Sequence, residues 1–188
     1  MHGRLLAHLY VDAWILAGIV WLVAAFFTKR TERTEPSKSR LIQFGWAVSA
    51  AILLWVPWGP LAARVIPRSP VLENLGLALT VGGIALAIWA RFFLGRNWSA
   101  RVTIKQDHEL IRSGPYSIVR NPIYTGFLTA LAGTVMAIGE IRVILAFAIA
   151  AVGLHFKVRT EEKFMSEQFG EEYARYRREV KSLIPFVW

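Results

Sequence analysis

The chain has 188 residues, 55% of them hydrophobic and 19% charged, with no cysteine and a formal net charge of +9. The lack of cysteine excludes disulfides, thiolate metal sites and cysteine nucleophiles. The apolar residues come in uncharged runs such as Trp14 to Phe27 instead of at core spacing, and the basic residues flank those runs, where anionic headgroups account for them; the charge points to a membrane and not to nucleic acid.

In chain order, apolar segments fall at Leu9 to Phe27, Leu41 to Ala63, Leu72 to Leu94, Pro122 to Gly139 and Arg142 to Phe156, each near the ~20 residues a bilayer helix needs. The first is too long for a signal-peptide core and ends in a basic flank, so it is expected to stay as a helix. Lys29, Arg30, Arg33, Lys38 and Arg40 follow the first segment, and Arg96, Arg101, Lys105, Arg112 and Arg120 follow the third. The link between the second and third holds only Arg64 and Arg68, whereas the tail after Phe156 is basic again. This alternation predicts an outside N-terminus and an inside C-terminus. Gly76, Gly82, Gly83, Gly126 and Gly133 read as close-approach positions between helices, and Trp55, Trp58, Trp89 and Trp98 as interfacial anchors. Only Gly139, Glu140 and Ile141 separate the last two spans, which predicts a tight antiparallel hairpin. The fold class is therefore all-α: a polytopic membrane protein with about five transmembrane helices, the last two a hairpin. The expected division is an N-terminal set of three helices over 1–94 and a C-terminal core with a cytoplasmic tail over 95–188.

Two polar stretches on the same predicted side flank the hairpin, and a site can form between them. Asn121 followed by Pro122 reads as the start of a helix, Asn accepting from free backbone donors and Pro lacking the amide hydrogen that would have no partner there. An anionic ligand group can also rest at such an end. In the second stretch Lys157 and Glu161 are four apart and Arg159 and Glu162 three apart, so on a continuing helix two opposite-charge pairs can form. That pattern suits a solvated helix end, and it equally suits counter-charges for a cationic cosubstrate or an anionic substrate. No His, Asp or Glu grouping has metal spacing, and neither a phosphate loop nor a serine nucleophile elbow is present.

The series Leu94-Gly95-Arg96-Asn97-Trp98-Ser99, His108 to Ile111, Gly114-Pro115-Tyr116, Arg120-Asn121-Pro122-Ile123-Tyr124-Thr125-Gly126, Glu161-Glu162, Phe169-Gly170-Glu171-Glu172-Tyr173, Tyr176 and Ile184-Pro185-Phe186 resembles the isoprenylcysteine carboxyl methyltransferase family, whose core is shared with phospholipid N-methyltransferases. The resemblance covers about the last 95 residues. It implies a membrane methyltransferase with a cytoplasmic S-adenosylmethionine pocket and a lipophilic methyl acceptor entering from the bilayer. It also implies cofactor contacts at His108, Glu109, Leu110, Ile111 and Tyr116, at Asn121, Pro122, Ile123 and Tyr124, and at Glu161, or Glu162 if the register shifts, with Arg101 near a further contact. The family's substrate-side arginine aligns with Lys157 by counting back from Phe169-Gly170, while Arg159 has the matching residue type. Eukaryotic members usually have His where this chain has Asn121, and the short chain looks like prokaryotic members, so a cytoplasmic membrane location and a small isoprenoid or phospholipid acceptor are expected alongside an isoprenylcysteine carboxylate.

A sulfonium methyl is already activated, so the expected mechanism needs no protein nucleophile, only in-line placement and exclusion of water. A carboxylate acceptor would be oriented by Arg159 or Lys157 through charge-assisted hydrogen bonds. An amine acceptor would need to lose a proton, with Glu162 as the base. Two other readings stand beside this one: an NADPH-dependent sterol-reductase-like membrane enzyme, and a non-enzymatic membrane interaction protein that contacts membrane lipids.

Overall fold

The computed structural model describes residues 2–26, 31–34, 37–56, 59–95, 103–105 and 110–184. Five α-helices dominate: α1 (His2–Ala25), α2 (Ser37–Trp55), α3 (Pro70–Leu94), α4 (Pro122–Ile138) and α5 (Ile141–Glu179). Each overlaps an expected apolar run, although α1 and α2 begin earlier, at His2 and Ser37 instead of Leu9 and Leu41, and two helices end elsewhere than expected. The second run was expected to reach Ala63, but α2 ends at Trp55, because Pro57 and Pro60 cannot donate to a continuing helical ladder. The fifth was expected to end near Phe156, but α5 runs through the charged segment to Glu179. Within it Gly170 has φ 50° and ψ −122°, a conformation that needs glycine, and there the helix turns aside.

Two helices, Pro70–Leu94 and Ile141–Glu179, are long and apolar enough to cross a membrane, and Leu9–Ala24, Leu41–Trp55 and Pro122–Ile138 are shorter apolar helices. Leu16, Leu22, Leu41, Phe44, Val71 and Phe92 are exposed on α1, α2 and α3. So much outward-facing apolar surface suits lipid and not water.

α3 and α4 form the tightest pair. A Cβ on Gly83 would meet the Ala130 amide nitrogen and the Gly126 carbonyl oxygen at 2.5 Å, and one on Gly126 would meet the Gly83 carbonyl oxygen at 2.5 Å. Gly76 faces Gly133 in the same way, so four of the five small positions form one seam of backbone contact. Gly82 does not share it, having nothing within 4 Å of a built Cβ. Along the seam Thr80 donates to the Ala130 carbonyl at 3.1 Å, and the Trp14 indole donates to the Thr134 hydroxyl at 3.2 Å, which ties α1 to the pair.

The expected hairpin of α4 and α5 turns at Gly139, which has φ 65°. It is tight only at that turn, since α4 packs chiefly on α3 and α5 chiefly on α2. The turn is fastened by the segment before α3: Val65 and Ile66 donate to the Gly139 carbonyl at 2.8 and 3.1 Å, and Arg64 donates to the Ala137 carbonyl at 3.0 Å. Beside it Arg142 pairs with Glu140 at 2.5 Å.

At the opposite end the all-α expectation meets an exception, a two-stranded antiparallel ribbon of β1 (Thr31–Thr34) and β2 (Thr103–Lys105). It joins the two basic loops that the sequence puts on one side. Trp55 and Trp89 are half exposed near helix ends, as anchors would be, while Trp58, Trp98, Pro185 and Phe186 lie outside the described residues.

Candidate active site

α4 begins at Pro122, and Asn121 occupies the cap position as expected: its carbonyl accepts from the Tyr124 and Thr125 amides at 3.1 and 3.0 Å. Its side chain does something else. Instead of accepting from the first turn, the carboxamide nitrogen donates to the Ser182 hydroxyl at 3.1 Å and stands 3.4 Å from Glu162 Oε1. The cause is tertiary: the chain after α5 returns alongside the start of α4, where the Arg120 and Asn121 amides donate to the Lys181 and Ser182 carbonyls at 2.8 and 3.0 Å.

Pro115 and Tyr116 sit in a one-turn 3-10 helix, Gly114–Ser117, packed under this junction. Tyr116 is buried with Ala90 and Ile123, and Ile111 and Tyr124 pack against them. Four expected cofactor residues, Ile111, Tyr116, Ile123 and Tyr124, are thereby brought together, with Pro122 buried beside them and Leu110 half-buried at the edge. Tyr124 donates its hydroxyl to Glu161 Oε1 at 2.6 Å, and the Lys157 ammonium lies 5.8 Å from the Tyr124 ring centroid. Burial first, and then the nearby Glu161 carboxylate, push the Tyr116 hydroxyl well above the usual phenol range, so it stays a neutral donor. His108, Glu109 and Arg101 lie outside the described residues.

Glu162 faces the other way. Its Oε1 accepts from Arg120 Nε at 3.0 Å, Arg120 Nη2 at 2.7 Å and the Ser182 hydroxyl at 2.9 Å, and Arg177 approaches its other oxygen at 3.9 Å. Both charged partners are largely withdrawn from solvent, the Arg120 side chain being 8% and that of Glu162 15% exposed. Arg120 also donates to the Arg177 carbonyl at 3.3 Å and to the Val180 carbonyl. The expected pair of Arg159 with Glu162 is therefore replaced by Arg120 with Glu162, since Arg120 comes from the α4 junction already aimed at the carboxylate.

A cavity of about 870 Å³ lies between α2, α4 and α5, with Trp14 of α1 at its wall. Its lining is mostly apolar, including Phe44, Trp46, Phe127, Leu131 and Leu154, with Gln43 as a polar member, and among the described residues the single charged one on it is Lys157. Gly153 makes room for its principal wall: a Cβ there would meet the Trp46 ring at 2.6 Å. Lys157 and Arg159, the two alternatives for a substrate-side cation, are thus separated, because Arg159 lines a different, basic groove. Ser182 and Trp46 are site-forming residues that the sequence patterns do not single out, and Arg120 figures in them only as a loop cation and a motif member, with no partner assigned. Gly153 and Phe156 are the α5 residues that meet the Trp46 ring.

Residues 76–167 match the family described as "Isoprenylcysteine carboxyl methyltransferase (ICMT) family". The match begins inside α3 and stops short of Phe169-Gly170, so it is centred earlier in the chain than the motif series alone suggests. The Arabidopsis thaliana "Protein-S-isoprenylcysteine O-methyltransferase B" is 34% identical over 122 residues, which are 62% of this chain and 60% of that protein. A "Probable protein-S-isoprenylcysteine O-methyltransferase" from Oryza sativa subsp. indica is 28% identical over 194 aligned positions covering 100% of both chains. A "Cobalt-zinc-cadmium resistance protein" from Cupriavidus metallidurans is 31% identical over 119 residues, 62% of this chain and 50% of that protein.

Proposed function

We propose, from this chain's membership of the isoprenylcysteine carboxyl methyltransferase family, that it is an integral membrane methyltransferase acting on the carboxylate of a lipophilic acceptor. The observation that carries the reading is Lys157, among the described residues the one charged side chain on a mostly apolar cavity, standing beside the Tyr124–Glu161 pair. An isoprenoid-like tail suits such walls, and an ammonium at the boundary suits a carboxylate head.

The cofactor implied is S-adenosylmethionine, which supplies a methyl group activated on a sulfonium. The donor set fits it. Glu161 offers an anion for a sulfonium or amino group, Tyr116 and Tyr124 offer ring faces and hydroxyls, and Ile111 and Ile123 offer apolar contact. The family resemblance adds His108, Glu109, Leu110, Asn121, Pro122 and Arg101 to the proposed cofactor residues, of which His108, Glu109 and Arg101 lie outside the described residues. Tyr124, bonded to Glu161, fixes the direction of that carboxylate before any ligand arrives. Lys157 holds the acceptor carboxylate in line, and the α2 wall of Phe44 and Trp46 keeps water from the reacting oxygen. A carboxylate is charged at neutral pH and needs no base. An amine acceptor would require one, and Glu162 is held by Arg120 and Ser182, which favours the carboxylate. Glu162 then positions Arg120 and Asn121 at the start of α4, and residues 95–188 carry the chemistry while 1–94 supply one side of the cavity wall through α2 and Trp14. All five helices cross the bilayer in this reading, the shorter ones with local thinning or snorkelling flanks.

Calorimetry with the purified protein tests the cofactor, and transfer of a labelled methyl group to a prenylated cysteine analogue with a free carboxylate tests the acceptor. The reading expects S-adenosylmethionine to bind and Lys157→Ala to lower kcat/KM for the acceptor by about tenfold or more, with cofactor affinity retained. Preference for NADPH, or no binding of either cofactor, would overturn it.

A further inference from the structure

α5 presents two chemically different sides where it leaves its apolar run. The side away from Lys157 and Tyr124 forms a groove of about 900 Å³ against the chain that returns after the Gly170 bend. Arg120, Arg159, Lys163, Arg177, Arg178 and Lys181 line it, and among the described residues Glu162 is its one carboxylate. That carboxylate is already engaged by Arg120 and Ser182. Glu172 and Glu179 turn to Arg112, at 3.9 and 3.8 Å, and Glu167 lies 4.0 Å from Lys163 at the edge of the groove without lining it. Among the described residues, Arg159, Arg178 and Lys181 have no carboxylate within ion-pair distance. Six cations around one cleft with a single carboxylate on its lining repel one another unless a further anion joins them.

The approach to the groove is also patterned. Val152, Phe156, Arg159 and Lys163 follow the i, i+4, i+7, i+11 rule of one helix face, and all four are exposed. An apolar strip therefore runs directly into two cations at the level where α5 leaves its apolar segment. Acyl chains can lie along such a strip while the headgroup enters the cleft.

We propose that this groove binds a phosphate group, supplied by an anionic phospholipid headgroup whose chains lie along Val152 and Phe156. The groove opens on the other side of α5 from Lys157 and Tyr124, although its lining residues Glu162 and Ser182 also touch Asn121, and its occupancy is read without reference to methyl transfer.

The test uses the full chain in detergent, titrated with phosphatidylglycerol, phosphatidylcholine or inorganic phosphate and followed by native mass spectrometry. Phosphatidylglycerol should bind saturably and more tightly than phosphatidylcholine. The double variant Arg159→Gln/Arg178→Gln should weaken phosphatidylglycerol by about tenfold or more, the scale of removing two basic residues from an anionic lipid contact, and leave phosphatidylcholine unchanged. Inorganic phosphate that binds with the same dependence on these arginines and displaces phosphatidylglycerol would support the phosphate site with a soluble source. Equal binding of phosphatidylglycerol by variant and wild type would overturn the proposal. Should the variant not fold, the wild type decides: a phosphatidylglycerol affinity equal to that for phosphatidylcholine and unmoved between about 0.05 and 0.5 M salt would equally overturn it.

Discussion

Consecutive positions on an α-helix point about 100° apart, and on α5 that rotation sends Glu161 to the Tyr124 hydroxyl and Glu162 to the Arg120 guanidinium. The two substitutions to glutamine should therefore fail differently. In Glu161→Gln the amide oxygen can still accept from Tyr124, so folding should survive while S-adenosylmethionine affinity falls by roughly 1–3 kcal/mol with the loss of the charge. Glu162→Gln removes the anion from a nearly buried arginine, and stability should fall by about 3 kcal/mol, read as a lower Tm in detergent. If Glu162→Gln left Tm intact and weakened the cofactor, the roles assigned from these contacts would be reversed. The divergence of the two glutamates was legible in the sequence, because it follows from helix geometry alone. Their partners were not: Arg159 lies three residues from Glu162, whereas Arg120 lies 42 away and reaches it only because the start of α4 is packed there. The same holds for Asn121, whose place in the chain announces a cap but whose side chain is drawn off by Ser182.

At the scale of helices, adjacent glycines on α3 make the sharpest comparison. Gly83 faces the α4 backbone, and Gly82 faces open space. Gly83→Ala should therefore force α3 and α4 apart and destabilise by about 1–3 kcal/mol. Gly82→Ala should be neutral or stabilising by up to about 1 kcal/mol, since alanine has the better helix propensity. Thermal unfolding of the two variants side by side checks this, and equal effects would show that the seam does not set the stability of the pair. Composition announced that small residues line a helix contact but could not pick Gly83 over Gly82, a distinction fixed only by the rotation of α3 against α4. The looseness between α4 and α5 has the same origin. Gly126, Ala130 and Gly133 commit one face of α4 to α3, and Phe127 and Leu131 face a cavity instead of α5. The ribbon of β1 and β2 had no periodic signal at all, being four and three residues long.

Over the whole molecule the contacts sort the connections into two ends. At one, the β1–β2 ribbon joins the loop after α1 to the loop after α3, and α5 touches β2. At the other, the link before α3 is bonded to the α4–α5 turn at Gly139, and Tyr10 near the start of α1 donates to the Glu73 carbonyl at 2.8 Å. These pairings hold whichever way the protein sits in a bilayer; the distribution of lysine and arginine supplies the direction. The ribbon end carries the basic loops and the basic tail, so it should face the cytoplasm. Because the chain has no cysteine, single cysteines can report on this without background. In intact cells an impermeant thiol reagent should label Ser69→Cys, which lies just before α3, and should leave Ser37→Cys at the start of α2 and the exposed Gln168→Cys on α5 unlabelled until the membrane is opened. Labelling of Ser37→Cys and Gln168→Cys with protection of Ser69→Cys would turn the protein over and put the cofactor pocket outside, where S-adenosylmethionine could not reach it from the cytosol. Labelling of all three from outside would mean that α2 does not cross and that α3, α4 and α5 together cross an even number of times, and the proposed five-span arrangement would fail.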